Sequence, residues 1–378
     1  MTTIQVFRPS YDERELEALR EPFETGWIGL GPKTAEFERK FARYVGAPYA
    51  VAMNSATAAL HLSLVGLGIG DGDEVLVPTM TFVSTAHAVR YTGAVPVFCD
   101  IDRDTLNIDV KDAASRVTPQ TKAIIPVHFG GHPCDMEAIW ELADRERLMV
   151  IEDAAHACGS RYRGQMIGGL ESDATCFSFH AVKNLATGDG GMVTTAHEWL
   201  DRKLRKLRWC GIDKDTWKRT KDLDGGYGWY YEIERLGYKC HMNDIAASIG
   251  LVQLEKLDST NAVRWAVAKR YSEAFARLRW LKCPVVPPEP VLAHHNYVIK
   301  TPYRDELNLW LRERDIYTGV HYMPIHLQPY YKRSGVRLPM AEEVWPRLLT
   351  LPLYPDLTDG DVERVIDGVL EFGKEKGL

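Results

Sequence analysis

No two of the seven cysteines form a Cys-x-x-Cys pair. Cys99, Cys134, Cys158, Cys176, Cys210, Cys240 and Cys283 are scattered and odd in number, which argues against a disulfide framework and supplies no zinc pattern. Reduced thiols in a cytoplasmic protein are the expectation. An excess of basic residues is also missing. Lys and Arg number 46 against 52 Asp and Glu, a net charge of −6. Neither nucleic acid nor an acidic membrane surface is therefore expected as a partner, and an anionic small molecule would have to meet local basic groups. No apolar run reaches the ~20 residues that a membrane helix needs. The start, Met1-Thr2-Thr3-Ile4-Gln5, has no basic segment followed by an apolar one, so no signal peptide is expected. His321 and His326 are too far apart, and too broken by Pro324, for a zinc helix, and no metal site is expected. There is no internal repeat, low-complexity tract or linker between independent domains.

What is present is ample for a large core: 378 residues, 45% of them hydrophobic and 26% charged. One stretch organises the rest, Phe177-Ser178-Phe179-His180-Ala181-Val182-Lys183-Asn184-Leu185-Ala186-Thr187-Gly188-Asp189-Gly190-Gly191. It holds one lysine, a hydroxyl five positions earlier and a glycine-rich tail. The following Met192-Val193-Thr194-Thr195 reads as a strand, so the tail is expected to be a tight turn. Lys183 has two readings: a solvated surface charge, or a Schiff-base lysine whose amine attacks a cofactor aldehyde. The second gains force upstream, where the apolar run Leu148–Ile151 leads into Glu152-Asp153-Ala154-Ala155-His156. That pattern predicts a buried parallel strand with Asp153 at its carboxyl end, where open α/β sheets bind ligands. A buried aspartate needs a cationic partner. The pyridinium nitrogen of pyridoxal 5′-phosphate is one, and an Asp with a Schiff-base Lys is the pairing that cofactor requires.

With these two motifs the chain resembles the DegT/DnrJ/EryC1/StrS group of sugar aminotransferases, over nearly its whole length. The resemblance implies a fold-type-I α/β architecture: a large domain, residues 1–258, with a mixed, mostly parallel sheet flanked by helices, and a smaller C-terminal α+β domain, residues 259–378.

Several segments carry a bland reading beside the one that the resemblance implies. Gly26-Trp27-Ile28-Gly29-Leu30-Gly31-Pro32 is a turn before a helix at 33–45, or a loop in which Trp27, Ile28 and Gly29 border the substrate. Ser55 and Thr57 suit a helix N-terminus, and such an end made of small residues is also a phosphate site. Thr57 and Ala58 are the phosphate candidates. Phe82, after the strand Glu74–Pro78, packs in the core or stacks on the pyridine ring. His128 is expected to be secondary to catalysis. His156 is a capping or core histidine, or bonds the ring hydroxyl of the cofactor. Residues 211–236 lack periodicity and read as an active-site or interface loop. Gly237-Tyr238-Lys239-Cys240-His241-Met242-Asn243-Asp244 resembles a family segment in which the Asn touches the phosphate bound by the neighbouring subunit, and this implies a homodimer with shared active sites. Asp244 is expected to cap its own helix, 245–257. A second helix, from Asn261 to about Leu278, is expected to lead out of the large domain. Near the C-terminus, Gly319-Val320-His321-Tyr322-Met323-Pro324-Ile325-His326 resembles a family segment that borders the substrate pocket, and His326 contacts substrate or is structural.

The resemblance further implies that Lys183 carries the cofactor and moves a proton, that Asp153 keeps the ring nitrogen protonated, and that Ser178 bonds the phosphate. It gives glutamate as donor and a nucleotide-linked 4-keto-6-deoxyhexose as acceptor, in amino-sugar biosynthesis for a surface polysaccharide such as lipopolysaccharide or for a secondary metabolite. Relatives that aminate carbon 4 usually read Phe-Ser-Phe-His…Lys…Thr-Gly-(Glu/Asp)-Gly-Gly, so His180 and Thr187-Gly188-Asp189 favour carbon 4. An aminocyclitol aminotransferase or an aminohydroxybenzoate synthase keeps the same lysine. A non-catalytic regulatory protein that binds the cofactor is the rival of another class.

Overall fold

A computed structural model of the chain describes residues 3–212, 231–289, 291–332 and 335–378. Most of the expected 211–236 loop, including Tyr227-Gly228-Trp229-Tyr230, lies outside the described residues. In chain order the strands are β1 (Tyr49–Met53), β2 (Glu74–Pro78), β3 (Val95–Cys99), β4 (Thr121–Ile124), β5 (Met149–Asp153), the short hairpin β6 (Arg161–Tyr162) and β7 (Gln165–Met166), β8 (Ala174–Ser178), β9 (Gly191–Thr195), β10 (Tyr297–Lys300) and β11 (Leu348–Leu351). Seven of them form one sheet in the order β1-β9-β8-β5-β4-β2-β3. β8, β5, β4, β2 and β3 pair in parallel, and β9 runs antiparallel to both of its neighbours. β1, β2 and β5 are buried after their first residue. Strands covered on both faces are continuous apolar runs rather than alternating ones, which is why Val-Leu-Val and Met-Val-Ile mark them. β10 and β11 form a separate antiparallel pair.

One helix corrects the expectation of two. Asp244–Phe275 is a single helix of 32 residues. Asp258-Ser259-Thr260-Asn261 looks like a break because such side chains compete for backbone groups. Here each finds a partner that leaves the helix intact. Ser259 Oγ donates to Lys256 O (2.7 Å), Thr260 Oγ1 to Leu257 O (3.0 Å) and Asn261 Nδ2 to Cys158 O (3.0 Å), and Asp258 accepts from Tyr44 OH (2.6 Å). The expected domain boundary at 258/259 falls inside this helix. Its first half packs Leu251 and Leu257 among Phe37, Phe41 and Phe177. Its second half packs Tyr271 and Phe275 among Leu307, Leu349 and Val365, in a cluster that also takes Ile4. The N-terminal segment thus belongs to the core of the C-terminal part.

Asp244 also differs from expectation. The N-cap of the long helix is Asn243, whose Oδ1 accepts from Ala246 N–H (2.8 Å). The buried carboxylate of Asp244 instead accepts from the N–H groups of Gly31 (3.0 Å), Lys33 (3.0 Å) and Thr34 (2.9 Å) and from Thr34 Oγ1 (2.7 Å). It caps the neighbouring helix, Pro32–Val45, whose own N-cap, Gly31, has no side chain to do so.

A second buried charge fastens that helix to the sheet edge. Glu38 accepts from Ala52 N–H (2.9 Å), Arg205 Nη1 (2.7 Å) and Arg208 Nη1. Arg208 is itself buried and also donates to Ala52 O (2.8 Å). Glu38→Gln keeps the shape but leaves the Arg208 charge uncompensated, so we expect a loss of roughly 3–5 kcal/mol, read as a lower urea midpoint. A midpoint equal to that of the parent chain would show that the pair contributes nothing net.

Candidate active site

The parallel strands end at a cavity of about 450 Å³. β5 delivers Asp153 to it. In a strand successive side chains face opposite ways, and the last two residues of β5 divide accordingly. Glu152 is tied into the fold by His128 Nε2 (2.7 Å) and Thr175 Oγ1 (2.9 Å), whereas Asp153 lines the cavity. Cys134 N–H donates to His128 Nδ1 (3.0 Å), which puts the ring proton on Nε2, facing Glu152. This accounts for His128 as a structural residue.

β8 delivers Ser178, and the turn between β8 and β9 carries Lys183. Three backbone bonds of 2.8 Å close that turn: Phe179 N to Gly190 O, Lys183 N to His180 O and Thr187 N to Phe179 O. Next to the lysine, Asn184 Nδ2 donates to Asn261 Oδ1 (2.7 Å) and Ala293 O (2.6 Å). The turn ends at Gly191, where a Cβ would sit 2.5 Å from Ser55 C and O. Glycine there lets β9 lie against the start of the helix Ala56–Leu67, and that helix end opens into the cavity through Ser55, Ala56 and Thr57.

The electrostatics follow from burial. Desolvation raises the Asp153 carboxyl above its ordinary range. Thr85 Oγ1 (2.8 Å), Ala155 N–H (3.1 Å) and the Lys183 charge pull it back. Desolvation likewise lowers the Lys183 amine to about 8 against an opposing pull from Asp153. His156 and His295 are held well below the usual imidazole range and His321 near 4, in each case chiefly by burial and then by Lys183. All three are neutral at pH 7.

Of the residues singled out from sequence, Thr57, Phe82, Asp153, His156, Ser178, His180 and Lys183 converge on this cavity. Phe82 is 58% exposed there, tilted against Tyr322 (6.3 Å between rings). His156 Nδ1 accepts from Gly130 N–H (3.2 Å), so its Nε2 carries the proton, toward Tyr322 OH (3.2 Å). Thr57 Oγ1 donates to Ser84 Oγ (2.8 Å). The others do not line the cavity. The Ala58 N–H is taken by Ser55 Oγ (3.1 Å). Trp27, Ile28 and Gly29 lie in the loop beside the long helix, where Gly29 O accepts from Asp244 N–H (2.7 Å). Asn243 is exposed and caps its own helix. His326 is buried elsewhere: Thr79 Oγ1 meets its Nδ1 (2.7 Å) and Glu342 its Nε2 (3.3 Å).

Sequence reasoning missed Phe7, Thr85 and His295, and within the segment 319–326 it singled out His326 rather than His321 and Tyr322, which line the cavity. Only Thr85 belongs to a sheet–helix segment near the motifs. The rest come from the N-terminal tail and the C-terminal part, where no spacing ties them to Lys183.

Comparison with known proteins places this geometry. The profile of the "DegT/DnrJ/EryC1/StrS aminotransferase family" matches residues 9–370. The spore coat polysaccharide biosynthesis protein SpsC of Bacillus subtilis is 45% identical over 377 residues, which cover 97% of this chain and 96% of SpsC. Among solved structures, the aminotransferase TlmJ of Streptoalloteichus hindustanus is 37% identical with a TM-score of 0.91, over 99% of this chain and 100% of TlmJ. Spr1654 of Streptococcus pneumoniae, assigned as a sugar aminotransferase and solved in a PLP form, is 33% identical with a TM-score of 0.91, over 100% of both chains. The lining found here fits pyridoxal phosphate: a buried carboxylate, a half-buried amine of lowered basicity, and an open helix end flanked by hydroxyls.

The lowered basicity of Lys183 has a measurable sign. At pH 7 an amine of pKa about 8 is neutral in about one molecule in ten, against about three in ten thousand for an ordinary lysine, a gain of roughly 300-fold. Trace reductive methylation of the cofactor-free chain, read peptide by peptide, should show Lys183 reacting with a midpoint near pH 8 and rising with pH, while surface lysines titrate near 10.5. A Lys183 midpoint at 10 or above would contradict the burial argument.

Proposed function

The chain belongs to the DegT/DnrJ/EryC1/StrS aminotransferase family, and from that premise we propose that it moves an amino group from glutamate to carbon 4 of a nucleotide-linked 4-keto-6-deoxyhexose. Its cofactor is pyridoxal phosphate. The observation that carries the proposal is the convergence of Asp153 and Lys183 in one cavity, with His180 and Asp189 on its wall. When bound, the cofactor supplies an electron sink for negative charge developing at the substrate carbon.

The chain's own groups divide the remaining work. Asp153 keeps a shielded negative charge where a protonated ring nitrogen needs one, and Thr85 and Ala155 fix its orientation. Lys183, the residue that would hold the cofactor, would also move the proton to and from the substrate carbon, a task suited to a group titrating near working pH. The end of the helix Ala56–Leu67, with the hydroxyls of Thr57, Ser84 and Ser178, offers dipoles to a phosphate. His156, protonated on Nε2, offers a donor to the ring hydroxyl. Phe82 offers a face for stacking, and His180 meets the sugar. Carbon 4 is supported by the likeness of His180 and Thr187-Gly188-Asp189 to the family pattern, and a polysaccharide destination by the name of SpsC.

The test is incubation of the cofactor-loaded enzyme with glutamate and a panel of keto-sugar nucleotides, read by mass spectrometry. A 4-amino product with release of 2-oxoglutarate is expected. A 3-amino product would remove the regiochemical assignment, and no release of 2-oxoglutarate with any acceptor would favour a regulatory protein.

The reading includes a homodimer in which Asn243 of one chain reaches the phosphate bound by the other. Asn243 is exposed, and its cap uses only Oδ1. Phe23, Ile28 and Leu236 are large apolar side chains left exposed for a second copy to cover. Two-fold symmetry makes such a contact reciprocal. Lys183→Ala chains mixed with Asn243→Ala chains should recover activity, since the heterodimer keeps one site with neither defect. No recovery, with heterodimers verified by mass, would assign Asn243 to its own chain alone.

A further inference from the structure

His295 lies across the cavity from the sheet, just before β10, and its Nε2 is 3.3 Å from Lys183 Nζ. The ring is buried and packs against two others. Phe7 stacks on it (5.2 Å between centroids, 10° between planes), and His156 packs at 4.5 Å and 32°. Its other nitrogen, Nδ1, is buried and has no hydrogen-bond partner among the described residues. We propose that His295 is a positioning residue that holds Lys183 as a neutral amine, with the ring proton on Nε2 donated to the Nζ lone pair and Nδ1 bare. This rests on the reading of Lys183 as the cofactor-binding amine.

The argument is one of proton placement. A neutral amine has a lone pair and can accept from Nε2–H. An ammonium has none, so Nε2 would have to accept from it, and the ring proton would move to Nδ1. That would leave a buried N–H with no acceptor, and orphaned buried N–H groups are rarer in folded proteins than under-satisfied acceptors. A doubly protonated ring would leave the same donor unmet and add a like charge. Protonating Lys183 therefore forces an unfavourable tautomer on its neighbour. The charged and titratable groups facing the pair do not reverse this. Asp153, from β5, favours the ammonium. His156, His321 and, from the long helix, Arg264 disfavour positive charge on His295. Tyr322 faces His156 rather than the pair. Nδ1 lies buried, away from bulk water, which is what the enclosed ring adds to the burial of Lys183 itself.

His295→Phe keeps a flat ring between Phe7 and His156 and removes both nitrogens. In the full chain without cofactor, trace reductive methylation of the Lys183 peptide across pH should show the midpoint moving up by about one unit, roughly tenfold less free amine at pH 7. A downward shift would mean that the imidazole accepts from an ammonium, and no shift would mean that it does neither; both overturn the proposal. If the variant does not fold, the parent chain still decides. Labelled with 15N-histidine, it should show the His295 proton on Nε2 in two-bond correlations, and a proton on Nδ1 overturns the assignment. Borohydride reduction of the pyridoxal phosphate-loaded parent separates this from the underlying reading. Cofactor trapped on Lys183 with no midpoint shift removes only the role of His295, whereas cofactor trapped on another lysine removes the reading of Lys183 itself.

Discussion

A carboxylate and an amine share one cavity, and burial works on them in opposite directions. Desolvation disfavours the charged form of each, raising the acid and lowering the base. Their mutual attraction opposes both shifts. Neither group makes a direct hydrogen bond to the other: Asp153 is taken by Thr85 and Ala155, Lys183 by His295. A closed ion pair would have satisfied both and left neither available. The two are kept apart by coming from different strand ends, Asp153 at the end of β5 and Lys183 in the turn after β8, with β5 and β8 adjacent and parallel.

That separation requires the turn to be stiff, and its stiffness is borrowed from well outside the sheet. Asn184 is held by Asn261 on the long helix and by Ala293 O just before His295. The same helix begins with Asp244, which caps Pro32–Val45, and Glu38 on that helix grips Arg205 and Arg208 at the sheet edge. The long helix therefore links the lysine turn, the N-terminal loop and both packing clusters. A break at 258–261 would have uncoupled them.

The strands and the two motifs were legible in the sequence because their signals are local. Buried parallel strands are apolar runs, and an acid at the end of one beside a glycine-rich lysine turn is an unusual combination. What was not legible depends on distance. Asp258-Ser259-Thr260-Asn261 reads as a helix break until Tyr44 and Cys158, each about a hundred residues or more away, are seen to accept or donate there. Asp244 reads as a cap for its own helix, but its partners lie more than 200 residues earlier. Of the two histidines near the C-terminus, sequence favoured His326, whereas His321 faces the cavity. The Pro324 turn separates them, and no periodicity says which faces inward.

Three histidines also shape what the cavity can hold. His156, His295 and His321 are uncharged at neutral pH. No arginine lines the cavity among the described residues, and Lys183 is the one basic side chain of high intrinsic pKa there. A phosphate entering this cavity therefore meets dipoles and hydroxyls rather than a countercharge. Such a site can hold a dianion without placing a second cation beside Lys183, which would lower that amine's basicity further and compete with it for Asp153. The anionic nucleotide proposed as substrate would find no arginine on this wall among the described residues. In the proposed homodimer, a second copy of the chain would be placed to supply a countercharge at a distance from the reacting amine.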